Sequence, residues 1–413
     1  MPMLNTIIRK TKLALGLAIA MQGVALTGAA EAETAYNVVG WADFSGPYAD
    51  VMRDWDGGRA AVIRWWNATK GTELGVKIEY SAVDGRYDPA QIASLWPGVL
   101  SEKKPLALLG MGGSDSAAMG PRLPEDKVPM ISGGGGYGFT WKENPWLFNM
   151  RPTLAHEAAM YAEWRFAAEA RTKPLRVAVV ASEAAPAWVD TVNGIKSYAT
   201  NSPDKLEIVD IIWTTPQPTD LTTDIFNVVG KGIDAVIVMT NSAGSVAVKR
   251  ALDNVGTDVP LVLGAHNGLT ATGAALGGLD KVTNTFECAA TAAPVEGTEA
   301  YKLYKELNAN YGLEQAWSSP MIIGMSQALF LVNSLEEAVK REGADGVTSE
   351  KLRVVILDHQ VTKEQMHSVN GNIQMTNEGS FPVSGLSGYC MTVGDGKLKV
   401  LDDSAPVPSL VKW

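Results

Sequence analysis

The chain is poor in the residues that most often carry chemistry. It has four histidines, His156, His266, His359 and His367, and two cysteines, Cys288 and Cys390, in 413 residues. No two histidines stand at metal-ligand spacing, and neither cysteine has the close partner that a metal or redox motif needs. There is no G-x-S-x-G elbow; the run "GGSDS" around Ser114 places its glycines wrongly for one. Basic residues are outnumbered, with Lys+Arg 35 against Asp+Glu 45 and a net charge of −10. That balance argues against nucleic acid and against an anionic membrane surface as partners. After the first thirty or so residues, no apolar run is long enough to cross a bilayer.

The amino terminus does carry a signal. Arg9, Lys10 and Lys12 precede the apolar run "LALGLAIAMQGVALTG", and Ala30 and Ala32 form an A-x-A site. This three-part pattern predicts an exported chain with residues 1–32 removed as a signal peptide after Ala32. Gly16, Gln22 and Gly23 interrupt the run, which argues against a retained membrane anchor. In an oxidising compartment the two cysteines have two readings, a disulfide or a pair of buried thiols, and both sit in strand-like runs, "NTFECAAT" and "SGYCMTV".

The remaining chain reads as strands alternating with helices. "YNVVGWADF" and "GVKIEYSAVD" are strands around an amphipathic helix, in which Val51, Trp55, Val62 and Trp65 share a face. "DPAQIASLWPGVLS" is a helix opened by an Asp cap and a first-turn proline. "PLALLGMG" and "VPMISG" are short apolar strands. "NPWLFNMRPTL" reads as a crossover, after which the alternation restarts with "LRVAVVAS", "EIVDIIWT", "DAVIVMTNS" and "PLVLGAHNG". Two long helical segments and a Gly-rich, hairpin-like tail follow. The pattern predicts α/β architecture with two parallel-sheet lobes and a cleft between them. Ligands of such sheets bind beyond the carboxyl ends of the strands. Here those ends are "DFSGPYAD", "GMGGSDSA", "SGGGGYGF", "SEAAPAW", "TNSAGS" and "GAHNGL".

The four-glycine run, Gly133 to Gly136, lacks the Lys-Ser/Thr ending of a phosphate loop, and no G-x-G-x-x-G turn follows the first strand. Its glycines offer close backbone approach and exposed N–H groups, which suit a carboxylate as well as a phosphate.

The order and spacing of "GGRAAVIRWWNATKGTELGVKIEYSAVDGRYDPAQIAS", "LLGMGGSDSAA", "VPMISGG", "LRVAVVAS", "DAVIVMTNSAG", "VPLVLGAHNG" and "GNIQMTNEG" resemble those of periplasmic solute-binding proteins of ABC transporters, of the leucine/isoleucine/valine-binding type. The resemblance covers essentially the whole mature chain. It implies two doubly wound α/β lobes joined by a three-crossover hinge, the type I periplasmic binding protein fold. It places lobe 1 at 33–153 and 292–366 and lobe 2 at 154–291 and 367–413. It implies capture of a small molecule in the periplasm, delivery to an inner-membrane permease, a monomer, no catalytic residues, no metal and no cofactor.

The resemblance also proposes a pocket. Ser114 matches the residue that holds a ligand carboxylate after the third strand, with backbone groups of Gly134, Gly135 and Gly136 after the fourth. Gly136 stands where amino-acid binders carry a hydroxyl. His266 and Asn267 stand where they commonly carry the acid that holds an α-ammonium. A buried ammonium without an anion costs several kcal/mol, so these two departures point to a ligand without one. Tyr48, Tyr137, Phe139 and Trp188, with Trp41, suit a flat or bulky apolar body, and Asn241 lies in a further cleft loop. The expectation is an aromatic or other hydrophobic carboxylate. A branched-chain amino acid is the alternative, with Asp115 or Glu183 as the acid if either faces inward. An exported α/β enzyme and a sensor ectodomain are less favoured.

Overall fold

The computed structural model describes residues 33–134, 145–375 and 386–413. Two sheets carry the architecture. The first has the order β2-β1-β3-β4-β5 and is wholly parallel. It comprises β1 (Thr34–Ala42), β2 (Val76–Asp84), β3 (Ala107–Gly110), β4 (Met130–Ser132) and β5 (Leu147–Asn149). The second has the order β12-β11-β10-β9-β8-β6-β7. Its strands β6 (Leu175–Ala181), β7 (Leu206–Trp213), β8 (Ala235–Val238), β9 (Leu261–Leu263) and β10 (Thr285–Ala289) run parallel. The antiparallel hairpin β11 (Ser387–Gly394) and β12 (Lys397–Pro406) closes its edge. Both sheets show the doubly wound order, with a reversal beside β1 and beside β6, where crevices open at the strand ends.

The expected helices form. Helix α1 (Ala49–Trp66) buries Val51, Met52, Trp55, Val62, Ile63 and Trp66. Helix α2 (Pro89–Lys103) starts at Asp88, whose carboxylate accepts from Ala90 N–H at 2.8 Å and Gln91 N–H at 3.2 Å. The crossover "NPWLFNMRPTL" holds more than a crossover: Leu147–Asn149 pair with β4 and form the fifth strand before the chain leaves the first sheet. Three apolar residues or so give too short a run to show a period, so the strand was not legible beside two prolines.

Helices α1 and α10 (Ser319–Glu342) pack to backbone contact. A Cβ on Gly324 would stand 1.9 Å from the Trp55 carbonyl oxygen, and one on Gly58 would stand 2.6 Å from that of Met321. This approach seats a buried polar hub. Arg59 donates to the carbonyls of Trp41 and Gly110, each at 2.9 Å, and to Gln327 Oε1 at 2.9 Å. Trp55 Nε1 donates to the same Gln327 oxygen at 2.6 Å. Gln327 Nε2 donates to the Gly110 carbonyl at 2.6 Å and the Ile131 carbonyl at 2.9 Å. The accepting carbonyls belong to β1, β3 and β4 near their carboxyl ends.

In the second lobe, Cys288 on β10 faces Cys390 on β11 and the two form a disulfide, with Cα atoms 4.2 Å apart and a sequence separation of 102. Both are fully buried in the apolar cluster under α4 (Leu154–Ala168) and α5 (Pro186–Asn201).

Two stability outcomes follow from these contacts. Gln327→Leu leaves the Trp55 indole N–H and one Arg59 N–H without acceptors, so urea unfolding is expected to show a loss of about 3 kcal/mol. Replacing both cysteines by alanine releases a long loop in the unfolded chain and is expected to cost about 2–5 kcal/mol; an unchanged urea midpoint would show that the bridge does not constrain the unfolded state.

Candidate functional site

The site is built from loops that leave the carboxyl ends of both sheets. After β1, the Asp43 carboxylate accepts from Gly46 N–H and, at 2.8 Å, from Tyr48 N–H, which folds the loop back and turns the Tyr48 ring inward. Burial raises the Asp43 pKa, and these two amides oppose it. After β2, Arg86 and Tyr87 adopt left-handed backbone angles, φ 53° and 52°. That turn brings the Tyr87 ring edge-on to Tyr48, with centroids 4.9 Å apart. Trp188, at the start of α5, completes the group at 6.1 Å from Tyr48 and 6.4 Å from Tyr87. Its indole N–H donates to the Tyr48 hydroxyl at 2.8 Å, a bond between the lobes.

After β3, Asp115 shapes the next loop. Its carboxylate accepts from Met111 N–H at 2.5 Å and Gly112 N–H at 2.8 Å. Burial pushes its pKa up to about 6, against the pull of those amides and of Arg59. The neighbouring Ser114 is fully buried, and its hydroxyl has no hydrogen-bond partner among the described residues. The amides of Gly113 and Ser114 lie against the Tyr87 hydroxyl. Gly113 meets the other lobe so closely that an added Cβ would stand 1.8 Å from the Ala187 Cβ.

The glycine run begins after β4. Gly133 faces the Trp55 ring, where a Cβ would come within 2.1 Å, and Gly134 faces the Arg151 guanidinium at 3.0 Å from its own Cβ position. Gly135, Gly136, Tyr137, Phe139 and Trp141 lie outside the described residues.

Arg151 follows β5. It donates to the Gly133 carbonyl at 2.7 Å and pairs with Glu157 at the start of α4; both side chains are at most 1 % exposed. Glu157 in turn accepts from Ala265 N–H at 3.2 Å, in the loop after β9. Its pKa is raised by burial and lowered by Arg151. This pair therefore ties the glycine loop of the first lobe to the His266 loop of the second. His266 is 6 % exposed. Neither ring nitrogen has a well-formed hydrogen bond among the described residues. Burial, helped by the Arg151 charge, depresses its pKa to about 3, with the Thr240 carbonyl opposing. The ring is neutral at physiological pH.

The other expected residues are committed to structure. Asn241 caps α7 (Ser242–Val255) through its side-chain oxygen and donates to the Pro47 carbonyl at 2.9 Å, a second bond between the lobes. Asn267 is held by Gly264 N–H and by the carbonyls of Val238 and Thr240. Trp41 packs with Ile92 and Trp96 under α2, away from the Tyr48–Tyr87–Trp188 group. Glu183 is exposed and lines a surface groove with Trp213 and Asp224. Sequence reasoning missed Tyr87, Arg151 and Glu157. The only signal for Tyr87 was its place in "DGRYDP" just past a strand end; an arginine inside an apolar crossover was the signal for Arg151.

Four carboxylates beside the site are thus occupied, whereas Glu183 is exposed and Asp50 accepts from the Ser242 hydroxyl. Asp43 and Asp115 hold backbone amides, Glu157 holds Arg151 and an amide, and Asp84 accepts from Phe44 N–H, Ser45 Oγ and Arg86 N–H. Among the described residues of these loops, the Ser114 and Ser116 hydroxyls and the neutral His266 imidazole lack a well-formed hydrogen bond, and each can both give and accept one. No cluster of three or more metal-ligating side chains occurs among the described residues.

A family model described as "Periplasmic binding protein" matches residues 36–389. The fold is similar to that of a branched chain amino acid ABC transporter from Thermus thermophilus with bound valine, at 17% identity and TM-score 0.76, covering 90% of this chain and 96% of that one. It is also similar to a fatty acid ABC transporter substrate-binding protein from Thermomonospora curvata, at 16% identity and TM-score 0.76, covering 90% and 92%. A solute binding protein of an ABC transporter from Rhodopseudomonas palustris BisB5, in complex with 3,4-dihydroxy benzoic acid, matches at 17% identity and TM-score 0.68, covering 91% and 99%. No curated protein matches the chain.

The depressed pKa of His266 sets a pH dependence. Between about pH 3 and the ordinary histidine value near 6.5, the unfolded chain binds a proton that the folded site refuses. The stability that this ring contributes is complete above pH 6.5 and is lost as pH falls toward 3, by about 1.4 kcal/mol per pH unit. His266→Gln is expected to reduce the slope of unfolding free energy against pH by that amount between pH 6 and 4, measured by urea titration; an unchanged slope would mean that the ring is charged or solvated in the folded protein.

Proposed function

We propose a role and a ligand class for this chain, which belongs to the periplasmic binding protein family. Members of that family bind solutes and do not transform them. The chain serves as the substrate-binding component of an ABC importer, works as an exported monomer, and delivers a small organic solute to an inner-membrane permease. Its lobes are assigned as 33–153 with 292–366 and 154–291 with 367–413, around the cleft formed by the loops described above. Export by a signal peptide ending at Ala32 belongs to the same reading.

The ligand is an aromatic or other hydrophobic carboxylate. The observation that carries this reading is that Asp43, Asp84, Asp115 and Glu157, the carboxylates beside the Ser114–His266 group, are each taken up by backbone amides or by Arg151. An amino acid brings an ammonium, and a buried ammonium needs an anion; Asp43, Asp84, Asp115 and Glu157 have none to spare. A carboxylate needs donors, and the Ser114 hydroxyl and neutral His266 are unpartnered. Gly134, Gly135 and Gly136 supply backbone amides in this reading. Tyr48, Tyr87 and Trp188 supply an apolar wall, to which Tyr137 is assigned as well. Asn241 acts at the rim, where it holds the Pro47 carbonyl.

Thermal-shift measurement against aromatic carboxylates, fatty acids and amino acids tests the class. A ligand present at about a hundred times its Kd adds about 2.7 kcal/mol of stability. The expected result is a rise in Tm with hydrophobic carboxylates and none with leucine or valine; stabilisation by those amino acids alone would overturn the ligand class. Ser114→Ala is expected to weaken binding about tenfold by removing one hydrogen bond to a charged group, and an unchanged Kd would remove Ser114 from the site.

A further inference from the structure

A second cavity, of about 630 Å³, lies where α1 of the first lobe faces α8 (Leu269–Leu276) of the second. Its walls include Asp50, Asp54, Thr270, Ala274, Leu279 and Trp317, and it shares none of these with the Ser114–His266 site. Asp50 and Asp54 are one turn apart on α1 and therefore share a face. Their hydrogen bonds come from neutral hydroxyls: Ser242 Oγ donates to Asp50, and Ser318 Oγ donates to Asp54 at 2.8 Å. Neither carboxylate has a salt-bridge partner among the described residues, and no Lys, Arg or His lines the cavity. Lys281, two residues past Leu279, is held by Asp280 at 2.7 Å.

Asp50 is exposed and Asp54 is partly buried, so the cost of burying charge falls on Asp54. Burial raises the Asp54 pKa, and the Asp50 charge raises it further, with only the Ser318 hydroxyl in opposition. The Thr270 hydroxyl in the same wall is buried and has no partner. The Trp317 ring sits against Tyr304 at 5.1 Å and Tyr301 at 5.9 Å, so the carboxylates adjoin an aromatic group of the kind that attracts cations. A metal ion is a poor match, because two carboxylates and two hydroxyls amid alanine, leucine and tryptophan give too few oxygen ligands for a hard cation. An ammonium is a better match, because its N–H donors can use the acceptor positions that Asp50 and Asp54 keep beside their single hydroxyl partners.

We propose that this interlobe cavity is a second binding site, which takes an organic ammonium with an apolar or aromatic body. The charged head sits between Asp50 and Asp54, and the body lies along Ala274, Leu279 and Trp317. The site goes beyond the carboxylate cleft and does not depend on it, because the two sets of residues are separate.

Isothermal titration of the purified protein with phenethylamine, at neutral pH and low salt, tests the proposal. The expected result is saturable binding, with 2-phenylethanol and 3-phenylpropionate at least about tenfold weaker at this site because they lack the charge-assisted hydrogen bonds. Asp54→Asn keeps an acceptor for Ser318 and is expected to weaken phenethylamine about tenfold, as is Asp50→Asn, with unchanged Tm. Ser114→Ala is expected to leave phenethylamine affinity unchanged. Absence of saturable binding, equal affinity for 2-phenylethanol, or affinity lost in Ser114→Ala and kept in Asp54→Asn would each overturn the second site. Failure of every carboxylate in the cleft, alongside Asp54-dependent binding of phenethylamine, would overturn the cleft reading and support this one.

Discussion

One buried guanidinium governs where the first lobe's cleft loops begin. Arg59 reaches from α1 to the carbonyls of Trp41 and Gly110 and shares Gln327 with the Trp55 indole. Carbonyls at strand ends have lost their sheet partners, and a buried one left unpaired is costly. The planar fork of an arginine satisfies several at once in fixed geometry, and Gln327 extends the same service to Ile131. Because α1 and α10 touch backbone to backbone at Gly58 and Gly324, the hub has little room to shift. The loops that carry Tyr48, Ser114 and the glycine run all leave from the strand ends that this hub fixes.

The carboxylates near the cleft serve as frame more than as ligand groups. Asp43 and Asp115 each fold their own loop by accepting backbone amides, and burial raises both pKa values without freeing either group. Glu157 neutralises Arg151 and reaches the Ala265 amide, so one ion pair spans the route from the glycine loop to the His266 loop. The chain uses its acids to hold geometry and leaves neutral groups unpaired. Under the proposed function, that division is what favours a carboxylate over an ammonium beside Ser114 and His266.

Much of the fold was legible because it rests on local patterns. The periodic apolar faces marked α1, the Asp88–Pro89 start marked α2, and the alternating hydrophobic runs marked the parallel strands. Strand β5 escaped because three residues show no period and two prolines flank the segment. The site was legible only in part. Loop positions at strand ends follow from topology, so Ser114, His266, Tyr48 and Trp188 could be named. Tyr87 reaches the aromatic group only through two left-handed residues, Arg86 and Tyr87 itself, whose turn the sequence does not announce. Arg151 and Glu157 are a long-range pair between a strand end and a helix start, and Asn241 is taken up by Pro47 of the other lobe. Such partners are set by tertiary packing, which neither composition nor spacing encodes. The same holds for the disulfide: only the facing of β10 and β11 puts Cys288 opposite Cys390.

The balance between the lobes can be argued from the same contacts. Among the described residues, the direct bonds between the lobes include Trp188 to Tyr48, Asn241 to Pro47, Ser242 to Asp50 and the buried Arg151–Glu157 pair. The hydrogen bonds contribute about 0.5–1.5 kcal/mol each, and the buried ion pair resists separation because either charge left alone in the interior is costly. Close approach adds dispersion where Gly113 meets Ala187, and a side chain at position 113 would forfeit it. Against this stand the buried Ser114 hydroxyl and His266 ring, each of which costs about 1–3 kcal/mol while unpaired. A ligand that pairs with both groups removes the cost and keeps the contacts. Under the proposed function, binding energy used in that way would favour the arrangement in which both lobes meet the ligand.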